Sequence, residues 1–472
     1  MEAALLTKWV EKEEKVASLS KRRYLHFDRF IDFGKTQDKL IRALSNDEQI
    51  SRHAFYPFIN TVLETPRYKK ITNPDGTTQR VLDVKQRQIA YASHYDAFVY
   101  SWYATILNDE YEKQLETWDI KECVLAYLKN GNKSNIDYAL ETFKQIRNKS
   151  ECAVIAIDIK GFFDNLDHEV LKKMWAKTLK TERLPATHFN IYKSLTAYST
   201  VSKHKLDILF DIKNLKNRYC SAHEFRNLVR MNKLIQRNSF VNELAGSKRF
   251  GESCGIPQGS PISAILSNIY MINFDIALNQ FSKTNNAFYR RYCDDIIIVC
   301  DADKVSDFIN YLQTITKENE LQINNSKTEI VFFSGITGKL RGYKEKGCLK
   351  YSNLQYLGFD FNGENAYIRA SSISRYKRRL SSEIRECLKA ANGRNSKSSV
   401  VFKKKMLSRF SSKGKRNFIT YAIRAGKDVM NSNSIKKQYN KSIEKVLSTF
   451  KAKQLKYNFR LEKRNIKPKA IR

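Results

Sequence analysis

Glycine and proline are scarce in this chain, and long apolar runs are missing. The 472 residues include 17 Gly and 7 Pro, so few tight turns and helix breakers are expected. This predicts a helix-rich protein and excludes a collagen-like chain or a linker. The longest apolar runs, such as 153–157 and 296–300, have the length of strands, and none could cross a membrane. The length gives room for roughly three structural units.

Cysteines are few and scattered. The eight cysteines include no C-x-x-C pair, and the seven histidines do not cluster with them. This pattern argues against a zinc site and fits a reducing compartment. The first residues, MEAALLTKWVEKEEK, carry charges throughout, so they predict neither a secretory signal nor a membrane span. We therefore expect a cytoplasmic protein with no membrane partner.

Acidic residues are also in the minority. The chain has 84 Lys+Arg against 49 Asp+Glu, a net charge of +35. Residues 369–472 hold 31 basic and 5 acidic residues, a net of +26, which leaves +9 for the first 368 residues. With 42% hydrophobic residues the charge is carried by a folding chain. The alternative is a solvated basic face, but an excess of this size predicts phosphate backbones as the partner.

Periodicity and turn signals give an outline of the first half. Residues 1–60 have helical spacing, and 67–91 predict an exposed basic hairpin around an Asn-Pro-Asp-Gly turn. The pattern is helical again over 95–147. Residues 153–163, AVIAIDIKGFF, predict a buried strand. A helix from about His168 then opens some eighty residues that we expect to be helical.

The second half predicts an antiparallel sheet backed by helices. After Gly255–Pro261, where Ser260 and Pro261 suit an N-cap and first helical position, we expect a long amphipathic helix to about Phe281. A hairpin around Tyr292–Asp295, a helix over 304–321 and strands near 330 and 356 follow. The tail after Arg369 predicts helices only. The fold class is therefore α+β.

Three carboxylates stand where strands end. Asp294 and Asp295 lie in an apolar frame, where two neighbouring carboxylates make sense mainly at a tight turn. Alone, such a turn is more often a solvated loop. Asp158 ends the strand 153–157, and if the two strands are neighbours all three carboxylates converge. Oxygen ligands of this kind suit two Mg²⁺ ions for phosphoryl transfer. Asp164 and Asp167 are competing candidates, better explained as turn and helix-capping residues.

Five motifs in order carry a family resemblance. They are AIDIKGFFDNLDH, GIPQGSPISAILSNIYM, YRRYCDDIIIV, LQINNSKTEI and LQYLGFDF. Their set closely resembles the palm motifs of bacterial reverse transcriptases, the class of group II intron, retron and defence-associated enzymes. The upstream stretch RQIAYASHYDAFVYSWYATIL resembles the finger segment of the same family. Within the class, the segments around 356–380 and 411–426 look most like the defence-associated and abortive-infection group.

The resemblance implies a role for each matching position. Asp158, Asp294 and Asp295, with Ile159, would be the metal ligands, with Mg²⁺ as cofactor and Mn²⁺ as a substitute. Phe163 falls at the steric-gate position that excludes a ribose 2′-hydroxyl, whereas Phe162 is a core aromatic. Lys327 would protonate the departing pyrophosphate. The alternatives are that Phe163 is also a core aromatic and that Lys327 is a surface lysine after a turn.

Further matches concern the nucleotide and the primer. One matching loop would contact the incoming nucleotide and the template, and it contains Gly255, Pro257, Gln258 and Gly259. The alternative is that these residues merely start a helix. The triphosphate would meet Arg87, with Lys69 and Lys70 as looser candidates. The primer grip would be Tyr356, Leu357 and Gly358.

The implied fold is a right-hand polymerase. Its parts would be an N-terminal helical extension over 1–60, fingers over 61–150, a palm over 151–368 with a helical insertion at about 170–250, and a basic helical thumb over 369–472. The implied function is RNA-directed DNA polymerase, with a structured non-coding RNA as template, a DNA primer or product, dNTPs as substrates, and a role in antiphage defence. Oligomerisation stays open. The alternatives are template-independent nucleotidyl transfer and a catalytically dispensable, maturase-like RNA-binding factor.

Overall fold

The structure is a computed structural model, and it describes residues 2–19, 23–72, 77–128, 133–211, 217–230, 236–237, 254–335, 338–348, 350–392, 403–428 and 433–463. Helices α1 to α9 span Glu2–Ser18, Phe33–Leu44, Asp47–Ser51, His94–Gln114, Asn135–Lys149, His168–Leu179, Ala186–Thr196, Lys203–Leu209 and Ala222–Arg230. Helices α10 to α17 span Ser263–Tyr270, Ile272–Thr284, Val305–Glu318, Ala370–Asn392, Lys403–Phe410, Phe418–Asp428, Asn433–Tyr439 and Ser442–Glu462. Strands β1 to β12 span Phe58–Thr72, Thr78–Tyr91, Cys152–Asp158, Ser199–Ser202, Gln236–Arg237, Phe288–Tyr292, Asp295–Cys300, Glu329–Ser334, Arg341–Tyr343, Leu354–Tyr356, Phe359–Phe361 and Ala366–Ile368.

The central sheet is antiparallel and has five strands in the order β6-β7-β3-β8-β9. Strand β3 lies in the middle and reads CAVIAID, a continuous apolar run. Such a run is needed because both faces of the sheet are covered. Ala153, Ile155 and Ile157 face one core with α4, α6 and α10 to α12. Cys152 and Val154 face a second core with α5, α15 and the small sheet β10-β11-β12. The predicted α+β class is confirmed.

A long two-stranded ribbon precedes the central sheet. Strands β1 and β2 pair antiparallel from Ile59–Tyr91 to Thr72–Thr78. The predicted hairpin is confirmed and begins earlier than expected, at Phe58. Its turn, residues 73–76, and the side chains of Lys69 and Lys70 lie outside the described residues.

One expectation about the insertion is wrong. The stretch 170–250 was expected to be helical, but β4 pairs parallel with β1 and β5 pairs with β4. The reason is local and tertiary together, because β4 contains β-branched Thr200 and Val201 and lies against the strand edge that β1 exposes. Residues 212–216, 231–235 and 238–250 of this stretch lie outside the described residues.

The start of the expected long helix also differs. Helix α10 begins at Ser263 after Ile262, which caps without a side-chain hydrogen bond. Ser260 is therefore not an N-cap, and Pro261 lies in a turn before the helix. The buried Ser260 hydroxyl has no partner in the described residues. The helix is also interrupted at Met271, where α11 begins after a break in the helical backbone.

The N-terminal helices are packed on the rest of the protein. Trp9 of α1 is fully buried and makes edge contacts with Phe33, Phe98 and Trp102 at 5.6, 6.3 and 5.8 Å between ring centroids. Removing such a side chain from a core costs about 3–5 kcal/mol. The helices of residues 1–60 are thus part of the main core.

The regular elements that the structure describes after Arg369 are all helices, as predicted. Helices α13, α14 and α17 share a small core of their own, which includes Leu380, Ile384, Met406 and Phe450. Within the described residues, no helix combines the length and apolarity needed to cross a bilayer. All eight cysteines are free thiols.

Candidate active site

Two neighbouring strands bring the three predicted carboxylates together. Asp158 is the last residue of β3 and lies opposite Asp295, the first residue of β7, in the antiparallel register. Cys293 and Asp294 form the turn between β6 and β7, and Cys293 has a left-handed backbone with φ 59°. The turn is tied to the end of β3, because the Ile159 N–H donates to the Asp294 carbonyl over 3.3 Å. All three carboxylates line one cleft.

The carboxylates influence one another. The pKa of Asp295 is raised to about 6, chiefly because the surrounding protein displaces water, and next because the charges of Asp294 and Asp158 are close. Its side chain nevertheless reaches the open cleft. Nearby Lys327 and Arg369 act in the opposite direction and favour the ionised form.

Asp158 is bound by the segment that precedes β8. Its Oδ2 accepts hydrogen bonds from Lys327 Nζ at 2.5 Å and from Asn324 Nδ2 at 3.1 Å. The Asn324 N–H also donates to the Asp158 carbonyl at 2.8 Å. Lys327, predicted as a general acid, is thus brought to the carboxylates. Asn324 was missed, although the motif LQINNSKTEI contains it.

The donor set fits a hard divalent cation. Among the described residues, no group of three His, Cys, Asp or Glu side chains is already closed into an ion-binding arrangement. One oxygen of Asp158 is bound by the Lys327 ammonium instead. Carboxylate oxygens that raise one another's proton affinity are the ligands that Mg²⁺ neutralises. The apolar side chain of Ile159 is buried, so this residue could contribute only its carbonyl oxygen.

Phe163 and Gln258 line the same cleft, which has a volume of about 540 Å³. Phe163 follows β3 in a short 3₁₀ turn, Phe162–Asp164, and its carbonyl accepts from the Ile256 N–H at 2.9 Å. The ring of Phe163 is half-buried, whereas Phe162 is buried in the core as expected.

Asp164 lies in the short 3₁₀ turn Phe162–Asp164, in agreement with its predicted turn role. It also borders the cleft, and burial raises its pKa to about 6. Asp167 behaves as predicted, because its Oδ1 accepts from the Val170 N–H and caps α6. The turn signal in DNLDH could not distinguish the two, since only the tertiary approach of the next loop encloses Asp164.

The loop at 255–259 connects the cleft to the ribbon. The Ala90 N–H of β2 donates to the Gln258 carbonyl at 2.8 Å. Gly259 has φ 122°, and a Cβ there would lie 2.9 Å from the Ala90 carbonyl oxygen. Pro257 is buried and its carbonyl accepts from Ser263 Oγ. Through this contact the ribbon presents exposed Arg87 to the same cleft.

Gly255 seals the loop against the turn below it. Gly255 has φ 89°, and a Cβ at this position would lie 2.8 Å from the Asp164 carbonyl oxygen. The carbonyl oxygen of Gly255 is hydrogen-bonded to His168 Nε2 at 2.8 Å. This close approach needs a residue without a side chain.

The predicted primer-grip residues lie beside the cleft rather than in it. Leu357 and Gly358 form the turn between β10 and β11 and line a neighbouring cavity of about 910 Å³ with Asn135. The side chain of Tyr356 is buried beneath this turn. Basic side chains dominate the opposite wall, namely Arg375, Arg379, Arg409, Lys415 and Arg416.

A buried ion pair beneath the turn Cys293–Asp294 was not anticipated. Arg291 is fully buried and donates to Asp275 through Nε at 2.8 Å and Nη2 at 2.6 Å. Its Nη1 donates to Asn268 Oδ1 and to the Cys293 carbonyl, both at 3.1 Å. Its position in the apolar motif YRRYCDDIIIV is the only sequence signal for this role.

Comparisons with known proteins identify the family of the chain. Residues 100–361, more than half of the chain, match the family described as reverse transcriptase (RNA-dependent DNA polymerase). The retron Ec83 reverse transcriptase of Escherichia coli is 25% identical over 158 residues, which cover 33% of this chain and 42% of that protein. The chain thus matches less than half the length of this curated relative.

Two telomerase structures are similar in part. Apo telomerase from Candida tropicalis, truncated from the C-terminal domain, has a TM-score of 0.40 at 11% identity over 66% of this chain and 57% of that one. Telomerase from Candida albicans with a TWJ fragment of telomeric RNA has a TM-score of 0.36 at 13% identity over 74% and 53%. On the family match and the α+β fold, the chain belongs to the reverse transcriptases and has the right-hand polymerase fold class.

Proposed function

We propose that the protein is an RNA-directed DNA polymerase that adds dNTPs to a primer on an RNA template with two Mg²⁺ ions. The observation that carries the proposal is the convergence of Asp158, Asp294 and Asp295 from adjacent strand ends in one cleft of a reverse transcriptase family member. Mn²⁺ is a plausible substitute, since it also prefers oxygen ligands.

The three carboxylates would hold the cations. When bound, these ions activate the primer 3′-hydroxyl and neutralise the charge of the departing pyrophosphate. The primer 3′-hydroxyl gives up its proton to water, and its oxygen forms a bond to the α-phosphorus of the dNTP. The bond from that phosphorus to the bridging oxygen breaks, and pyrophosphate leaves. Ile159 would add its carbonyl oxygen to the carboxylate set.

Other residues of the cleft would bind and orient the nucleotide. Arg87 carries a guanidinium suited to the triphosphate, and Gln258 borders the same space. Phe163 would exclude a 2′-hydroxyl by contact. Lys327, once released from Asp158, would protonate the leaving pyrophosphate.

The partners follow from charge and resemblance. The basic region over 369–472 would hold the RNA–DNA duplex through phosphates. The resemblance of 356–380 and 411–426 to defence-associated enzymes supports a structured non-coding RNA as template and a role in antiphage defence. Phage plating on cells with the wild-type chain or with Asp294→Asn tests that role, which predicts protection only by the wild type.

Incorporation of labelled dNTPs on a primed RNA with Mg²⁺ tests the activity. We expect Asp158→Asn, Asp294→Asn and Asp295→Asn each to lower the rate at least about 100-fold, because each removes one ligand charge. The matched control is Asp303→Asn, an exposed carboxylate beyond β7, which should retain full activity. Equal rates for control and site variants would contradict the proposal.

A further inference from the structure

Tyr127 has an unusual backbone beside the catalytic turn. Its φ is 66°, in the left-handed region that bulky residues rarely adopt. Its side chain is nevertheless 50% exposed, so burial of the ring does not offset the strain. Strain of this kind persists when the surroundings fix it, and it concentrates at functional sites.

A buried framework fixes this backbone. The Leu125 N–H donates to the Arg291 carbonyl at 2.9 Å, and Val124 forms a parallel bridge with the same residue. Asn268 Nδ2 donates to the Ala126 carbonyl at 2.9 Å. Because Arg291 Nη1 binds both Asn268 and the Cys293 carbonyl, one guanidinium holds the Tyr127 segment and the catalytic turn together.

The framework directs the phenol into the cleft. Tyr127 Oη lies 3.5 Å from Cys293 Sγ, and the ring lines the cleft that contains Asp294. The same ring borders a second cavity of about 490 Å³, next to Pro261 and Ala264. Tyr127 therefore stands where the two spaces meet.

The position of Tyr127 relative to the turn Cys293–Asp294 indicates which strand of the nucleic acid the ring would meet. Asp295 faces Arg369, whose N–H donates to the carbonyl of Gly358 in the proposed primer grip. Tyr127 instead adjoins Pro261, three residues after Gln258. The template strand runs opposite the primer, so it would pass the ring.

We propose that the ring of Tyr127 is a stacking platform for one base of the RNA template strand, a role that rests on the proposed polymerase function. An aromatic ring held rigidly at the edge of the cleft stacks on any base and is insensitive to its identity. Its contribution is to position the template strand next to the carboxylates.

Fluorescence anisotropy with a labelled RNA template annealed to a DNA primer tests the platform, with abasic sites placed one at a time in either strand. Tyr127→Gly, which accommodates a positive φ, should weaken binding about tenfold and keep or raise the thermal midpoint. Tyr127→Phe should bind within about twofold of the wild type, because the ring remains. Tyr351→Ala, which removes an exposed tyrosine elsewhere, is the control.

The coupling between ring and base decides the outcome. An abasic site at one template position should lower the affinity of the wild type about tenfold and should not lower the affinity of Tyr127→Gly any further. An abasic site in the primer should change the affinity of the two proteins by the same factor. Additive losses at every template position, or a lowered midpoint with unchanged affinity, would overturn the platform. Tyr127→Trp, which should retain the coupling, decides the matter if the glycine variant does not fold. Binding needs no catalysis, so absence of DNA synthesis would count against the proposed function alone.

Discussion

We expect sugar selection to depend on Phe163. Its backbone is fixed by the hydrogen bond from Ile256, and its half-buried ring faces the cleft. Phe163→Val should therefore raise ribonucleotide incorporation relative to dNTP incorporation about tenfold or more. Competing NTP and dNTP incorporation measures the ratio.

The neighbouring ring provides the control. Phe162→Leu removes volume from the core and should lower the thermal midpoint while the sugar ratio stays unchanged. A ratio that responds to Phe162 and not to Phe163 would contradict the assignment.

His188 predicts a defined acid sensitivity. Its Nδ1 accepts a hydrogen bond from Trp175 Nε1 at 3.2 Å, and burial lowers its pKa to about 4. The unfolded chain, with a pKa of about 6.5, takes up a proton first as pH falls, so stability is lost below about pH 6.5. At pH 5 the loss is about 2 kcal/mol.

His188→Asn removes the titrating group but keeps an acceptor. Urea unfolding gives the free energy of unfolding at pH 7.5 and at pH 5. The loss of this free energy between the two pH values should be about 2 kcal/mol smaller in the variant than in the wild type. The same difference in both proteins would show that His188 does not titrate as described.

At the residue scale the sequence predicted the carboxylates but not their partners. Asp158 and Asp295 could be placed because the first ends an apolar strand and the second begins one. The bond from Lys327 to Asp158 and the left-handed backbone of Tyr127 depend on contacts between segments far apart in the chain, which no local pattern encodes.

Among the elements, the loop at 255–259 is the joint between cleft and ribbon. Gly259→Ala would place a Cβ 2.9 Å from both the Ala90 carbonyl oxygen and Ile89 Cγ2. The loop would have to leave β2, so we expect a stability loss of about 1–3 kcal/mol and a raised KM for dNTPs. Gly335→Ala, with open space around it, is the matched control and should be neutral in both assays.

The buried pair beneath the catalytic hairpin sets the stability of that element. Asp275→Asn would leave Arg291 charged and poorly paired, at a cost of about 3–5 kcal/mol. Denaturant unfolding measures this loss. Glu116→Gln, which breaks an exposed contact to Lys121, should lower the free energy of unfolding far less, because water screens that pair. Comparable losses in the two variants would contradict the structural role of the pair.

Elements with a strong local sequence pattern were predicted. Elements that form only by pairing with a strand far away in the chain were not. The ribbon β1–β2 has a turn signal and β-prone flanks, and β3 has an apolar run of strand length. Strand β4 is only four residues long and exists because β1 offers an edge. Helix α10 starts three residues after Ser260, because the loop that holds Gly259 against β2 delays the first helical turn.

On the scale of the whole molecule, we expect charge to govern the proposed RNA binding. The cavity beside the proposed primer grip is lined by Arg379 and Arg416, among other cations. Replacing both by Gln should reduce the slope of log K against log salt by about 1.5. Filter binding across a salt series measures the slope. Lys121→Gln, at a lysine paired with Glu116, should leave it unchanged, and equal slopes in all variants would remove this cavity from the RNA surface.

Primer extension on an RNA template of mixed sequence, with the products sequenced, tests the proposed activity most directly. We expect DNA complementary to the template, made from dNTPs with Mg²⁺ by the wild type and lost in Asp294→Asn. Products unrelated to the template would favour template-independent transfer. No product from the wild type, or the same product from Asp294→Asn, would contradict the central claim that the three carboxylates carry templated DNA synthesis.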